Sequence, residues 1–83
     1  MIHILYFGHL PDSLGMSVED YTSPAGGLTV SGLIKLLSLR GGPWARTFGN
    51  PQSLTVTVNK QFVEFDAPIP DGGEVAFVAF VVG

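Results

Sequence analysis

Hydrophobic positions come in blocks along this chain, and the spacing within each block differs. The opening block, Ile2-His3-Ile4-Leu5-Tyr6-Phe7, is nearly continuous and rich in β-branched and aromatic residues. It stops at Gly8, with Pro11, Asp12 and Gly15 beyond. Such a run predicts a central strand covered on both faces. Ser17 to Ser23 mixes Val18 and Tyr21 with Glu19 and Asp20, which predicts an edge strand paired with the first as a hairpin. Pro24-Ala25-Gly26-Gly27 reads as loop. Val30, Leu33, Ile34 and Leu37 then recur at steps of three and four behind Thr29, a good N-cap. That spacing predicts a helix from about Val30 to Leu39, stopped by Gly41-Gly42-Pro43. Trp44 to Phe48 predicts a short turn that tucks Trp44 or Phe48 under the sheet.

Leu54-Thr55-Val56-Thr57-Val58 alternates cleanly, with Leu54, Val56 and Val58 facing the core. Asn59-Lys60 predicts a turn into a short segment, Gln61 to Phe65, and Ala67 to Gly73 a stiff loop. The last and longest apolar run, Glu74 to Phe80, predicts a strand that feeds a short tail, 79–83, ending at Gly83. The order is β-β-α-β-β-β. One amphipathic helix must bury its face against a sheet. The two most apolar strands are the first and last, so they are most simply central, parallel neighbours. The expected class is α+β: a ubiquitin-like β-grasp, with a mixed sheet clasping one main helix in a single domain, 1–83.

Composition narrows the function. There are 83 residues and no cysteine, which excludes disulfides, thiolate metal sites and a cysteine nucleophile, and fits a cytoplasmic location. A net charge of −3 with four Lys and Arg leaves no electrostatic footprint for nucleic acid. No apolar stretch reaches the ~20 residues of a membrane helix. Only 13% of residues are charged against 46% hydrophobic, so a partner is expected to cover part of the apolar surface. No G-x-x-x-x-G-K-[ST] loop is present, so ATP is not expected on this chain. His3 and His9 would lie ~20 Å apart along a strand, too far to share a metal. Asp71 and Glu74 read as solvated turn acids, and Arg40 and Arg46 as helix-end and surface charges.

Val58-Asn59-Lys60-Gln61-Phe62-Val63, followed by Pro68-Ile69-Pro70-Asp71-Gly72-Gly73-Glu74-Val75-Ala76-Phe77, resembles the sulfur-carrying small subunit of molybdopterin synthase. That family shows a V-N-x-x-x-V turn, an L-x-D-G-D-E-V-A-F segment and a tail closing on two glycines. The opening Ile4-Leu5-Tyr6-Phe7-Gly8 is also similar. Here Gly73 stands at the second acid, and the tail reads Val82-Gly83. Related motifs occur in the carrier of thiazole synthesis.

The resemblance implies a donor subunit that is not an enzyme alone. An adenylating, E1-like partner would use ATP to activate the Gly83 carboxylate. Sulfur would then displace AMP to give a thiocarboxylate. The tail would enter the large synthase subunit, and its sulfur would attack the pterin precursor. Val78, Phe80 and Val82 share one pleat, with Phe77, Ala79 and Val81 on the other. The partner contact is expected to draw on Phe77, Val78, Phe80, Val81 and Val82, with Phe80 as anchor. The alternatives are a carrier for another pathway and a β-grasp interaction module that is never activated.

Overall fold

The computed structural model describes residues 1–79. The chain runs β1 (Ile2–Gly8), α1 (Leu10–Leu14), β2 (Val18–Tyr21), β3 (Leu28–Thr29), α2 (Val30–Ser38) and α3 (Gly42–Phe48). After a 3-10 turn at Pro51–Ser53 come β4 (Leu54–Val58), β5 (Gln61–Phe62), β6 (Pro68–Ile69) and β7 (Glu74–Ala79). The main sheet has the order β2-β1-β7-β4-β5. β1 and β7 are parallel and central, as their continuous apolarity predicts. β7 also pairs antiparallel with β4, and β2 and β5 form the edges. This mixed sheet clasping α2 is the expected β-grasp.

α2 begins where the sequence places it. The Thr29 side chain accepts a bond from the Gly32 N–H at 3.1 Å, satisfying one of the free donors of the first turn. Val30, Leu33, Ile34 and Leu37 form its buried stripe. That stripe meets Ile2, Ile4 and Tyr6 of β1, Val56 of β4, and Val75 and Phe77 of β7 in one core.

The remaining elements differ from the sequence expectation. Gly41-Gly42-Pro43 does end α2, but it also starts α3. Gly41 and Gly42 take φ values of 79° and 55°, which reverse the chain, and Pro43 suits a helix start. α3 buries Phe48 and lays Trp44 against Tyr6 with ring centroids 5.5 Å apart. The segment after Gly8 forms the five-residue helix α1, whose Leu10 and Leu14 are buried. Pro68–Ile69, read as loop, pairs with Leu28–Thr29 in a separate two-stranded ribbon. Runs of two residues carry no periodicity, so only the tertiary pairing defines them.

Arg40 is more than a helix-end charge. Its guanidinium grips the Glu19 carboxylate at 3.0 and 2.5 Å and lies 4.4 Å over the Trp44 ring. The Tyr6 hydroxyl donates to the same carboxylate at 2.9 Å. This network ties edge strand β2 to the α2–α3 link. Arg40 holds the Glu19 carboxyl below the usual range, and burial beside that carboxylate pushes the Tyr6 hydroxyl well up.

Candidate functional site

The candidate site is the end of β7 and the sheet face around it. Strand alternation sends Val75, Phe77 and Ala79 into the core and Ala76 and Val78 to the other face. Phe77 is completely buried, stacked on Tyr6 and edge-on to Phe48 with centroids 6.2 and 5.2 Å away. It therefore cannot offer its side chain to a partner, which corrects the expectation that it joins the docking contact. Val78 is half-buried on the open face, as expected. Phe80, Val81, Val82 and Gly83 lie outside the described residues.

The register shows what surrounds Val78. Phe7 lies beside it on β1 and Thr55 on β4. One step back, Ala76 is flanked by Leu5 and Thr57, then by Val18 on β2 and Phe62 on β5. Among the described residues, no helix covers this face. Phe62 is 80% exposed, Val18 63% and Phe7 49%. The sheet thus presents a largely apolar strip, interrupted by Thr55 and Thr57 of β4, that runs from edge to edge near the end of β7. The sequence reading placed Phe7 on a strand covered on both faces, yet all the helices pack on one side. It also omitted Leu5, Phe7, Val18 and Phe62 from the contact. Their shared parity with Val78 could have found them.

The backbone fixes where the tail leaves the sheet. Gly8 pairs with Ala79 at the last rung of the parallel ladder. Gly8 has φ of 68°, and a Cβ there would fall on the Ala79 carbonyl oxygen. A hydrogen atom is all this crossing accommodates. The His9 N–H then donates to the Ala79 carbonyl at 3.4 Å. At the other end of β7, Asn59 closes the strand's start. Its N–H donates to the Glu74 carbonyl at 2.8 Å, and its side-chain oxygen accepts from the Glu74 N–H at 3.0 Å. Asn59 and Lys60 take left-handed φ values of 51° and 70° in the β4–β5 turn. Asn tolerates that region better than most residues. The Val-Asn motif therefore aligns β7 and does no chemistry itself.

Asp71, just before β7, has structural partners as well. Asp71 takes the Met1 ammonium at 2.6 Å and the Ser23 hydroxyl at 3.3 Å, and the ammonium lowers its pKa. His3 pairs with Asp20 at 2.5 Å across β1 and β2. Among the described residues, no group of three or more His, Asp or Glu could hold a metal, and no helix is long and apolar enough to cross a membrane.

Known proteins resemble this chain in sequence and in fold. The ThiS family profile matches residues 4–83. The molybdopterin synthase sulfur carrier subunit of Escherichia coli K12 is 33% identical over 83 residues, covering 100% of this chain and 99% of that protein. SAMP1 from Haloferax volcanii superposes with a TM-score of 0.77 at 20% identity, covering 99% of this chain and 97% of that one. Subunit 1 or 2 in the Helicobacter pylori molybdopterin-converting factor complex gives a TM-score of 0.66 at 13% identity, with 99% and 96% covered. These structures share the ubiquitin-like β-grasp. With a family match over nearly its whole length and a full-length relative, the chain belongs to the ThiS family and is a homologue of the molybdopterin synthase sulfur carrier subunit.

Proposed function

We propose that this chain is the sulfur carrier of a molybdopterin synthase. The observation that carries the reading is the central strand β7, which is locked between β1 and β4 and reaches Ala79 beside an uncovered apolar face. A rigid root and a large docking surface are what a donor needs when its reactive atom must be threaded into another protein's pocket. The full-length similarity to the Escherichia coli carrier supports the same reading.

The reactive group is the Gly83 carboxylate. A carboxylate is a poor electrophile, so an E1-like partner first adenylates it, with ATP supplying AMP and releasing pyrophosphate. A sulfur nucleophile then attacks the acyl carbon and AMP leaves, which yields the thiocarboxylate. Glycine has no Cβ, so its carbonyl can be approached closely in a narrow channel. This chain contributes the acyl group and the docking face. The activating enzyme supplies the nucleotide site, and the large synthase subunit supplies the pterin pocket. Phe7, Val18, Phe62 and Val78 form the fixed part of the surface that meets the large subunit, with Phe80, Val81 and Val82 continuing it along the tail.

Reconstitution tests this reading. The thiocarboxylated chain mixed with the large subunit and pterin precursor should form the dithiolene product, and the untreated chain should not. Deleting the gene should abolish molybdenum-enzyme activity and leave thiamine synthesis intact. Thiamine auxotrophy with normal molybdenum enzymes would assign the carrier to thiazole synthesis instead.

A further inference from the structure

Beside the tail root, on the edge away from the apolar strip, lies a shallow groove of about 220 Å³. Ala79 forms part of its wall, and Leu10 and Leu54 form its apolar floor. Its polar lining is His9, Arg46, Thr47, Asn50 and Ser53. Among the described residues, no carboxylate lines it. This reverses the sign of the rest of the molecule, which carries seven acids against four Lys and Arg. Three other grooves carry Asp71, Glu19 with Asp20, or Glu64, and a fourth, along Leu28 and Thr29, has no charged side chain at all.

Arg46 is exposed and makes no ion pair with any described residue, whereas Arg40 is taken up by Glu19. The groove therefore combines an available guanidinium with imidazole, amide and hydroxyl groups, a donor set suited to a carboxylate. It is also continuous with the proposed interface. Ala79, the last described residue before the tail, has the apolar strip on one side and this groove on the other.

We propose that the groove at Arg46 and His9 receives an acidic side chain of the large synthase subunit, a polar contact that orients the carrier while the apolar strip supplies affinity. The inference rests on the carrier reading above. A rim contact of this kind acts mainly on the association rate and its salt dependence. A nucleic acid is disfavoured by the net charge of −3.

The test is association of the full chain with the purified large subunit by stopped-flow fluorescence between low and high salt. Arg46→Glu is compared with Lys35→Glu, which changes net charge equally from α2, on the far side of the sheet from the apolar strip. Arg46→Glu should slow association at low salt on the order of tenfold and flatten the salt dependence, with Arg46→Gln losing about two- to fivefold. Lys35→Glu should have a markedly smaller effect. Equal effects of the two reversals, or no effect of either, would overturn the groove contact while leaving the carrier reading intact. If the unmodified chain does not bind the large subunit at all, the carrier reading falls, and this inference with it.

Discussion

A methyl group added at Gly8 tests how rigidly the tail root is held. Gly8 has φ of 68°, in the left-handed region, and its missing Cβ would occupy the space of the Ala79 carbonyl oxygen. Gly8→Ala therefore carries two costs. The conformational one is about 1–2 kcal/mol for an L-residue in that region. The steric one forces β1 away from β7 at the last rung and loses the bond from the His9 N–H to the Ala79 carbonyl, about 1 kcal/mol more. The sum is about 2–3 kcal/mol, a fall in Tm of roughly 8–24 °C for a domain of this size. Gly15→Ala separates the two costs. Gly15 has φ of 80° but nothing within 4 Å of an added Cβ, so it should show the conformational cost alone. Urea unfolding of both variants, followed by circular dichroism, measures the difference. If Gly8→Ala costs no more than Gly15→Ala, the close crossing of β1 and β7 is not what fixes the tail root.

Other perturbations probe the rest of the account. Phe62→Ala should weaken binding to the large subunit about tenfold or more with little change in Tm, because the residue is 80% exposed; calorimetric titration would show it, and unchanged affinity would remove Phe62 from the interface. Phe77→Ala should instead destabilise the fold by about 3–5 kcal/mol, since it opens a cavity between Tyr6 and Phe48. Arg40 depresses the Glu19 pKa in the folded state, so below the ordinary value near 4.5 the unfolded chain binds a proton that the native one does not. That stabilisation is complete above the unfolded value and is lost as pH falls through the folded one. Glu19→Gln should cost about 1–3 kcal/mol at neutral pH and flatten the acid limb of a stability–pH curve. Deleting Gly83 should stop sulfur transfer and leave the thermal midpoint unchanged.

Long periodic segments made most of this fold legible. The three- and four-residue spacing of Val30, Leu33, Ile34 and Leu37 located α2, and the alternation of Leu54, Val56 and Val58 located β4. Continuous apolarity in Ile2–Gly8 and Glu74–Ala79 gave the parallel central pair. The elements that escaped are short. α1 spans five residues and the β3–β6 ribbon two per strand, so neither repeats often enough to show a period. Glu19 and Arg40 stand 21 residues apart, and no local pattern announces their pairing.

The site was legible in part for a related reason. Alternation put Val78 on the open face, but the same alternation makes Phe77 a core residue, which burial confirms. Phe7 and Phe62 look like ordinary strand residues in sequence. They become surface only because α1, α2 and α3 all pack on the opposite side. The groove at Arg46 depends on α1, α3, β4 and β7 meeting at one end, which no spacing encodes.

The most direct test of the carrier account is the intact mass of the chain after incubation with its adenylating enzyme, ATP and a sulfur source. The account predicts a gain equal to one oxygen replaced by sulfur, localised by fragmentation to the C-terminal glycine. A chain that keeps its original mass, beside a control carrier that is converted under the same conditions, would contradict it and leave a β-grasp protein that docks without being activated.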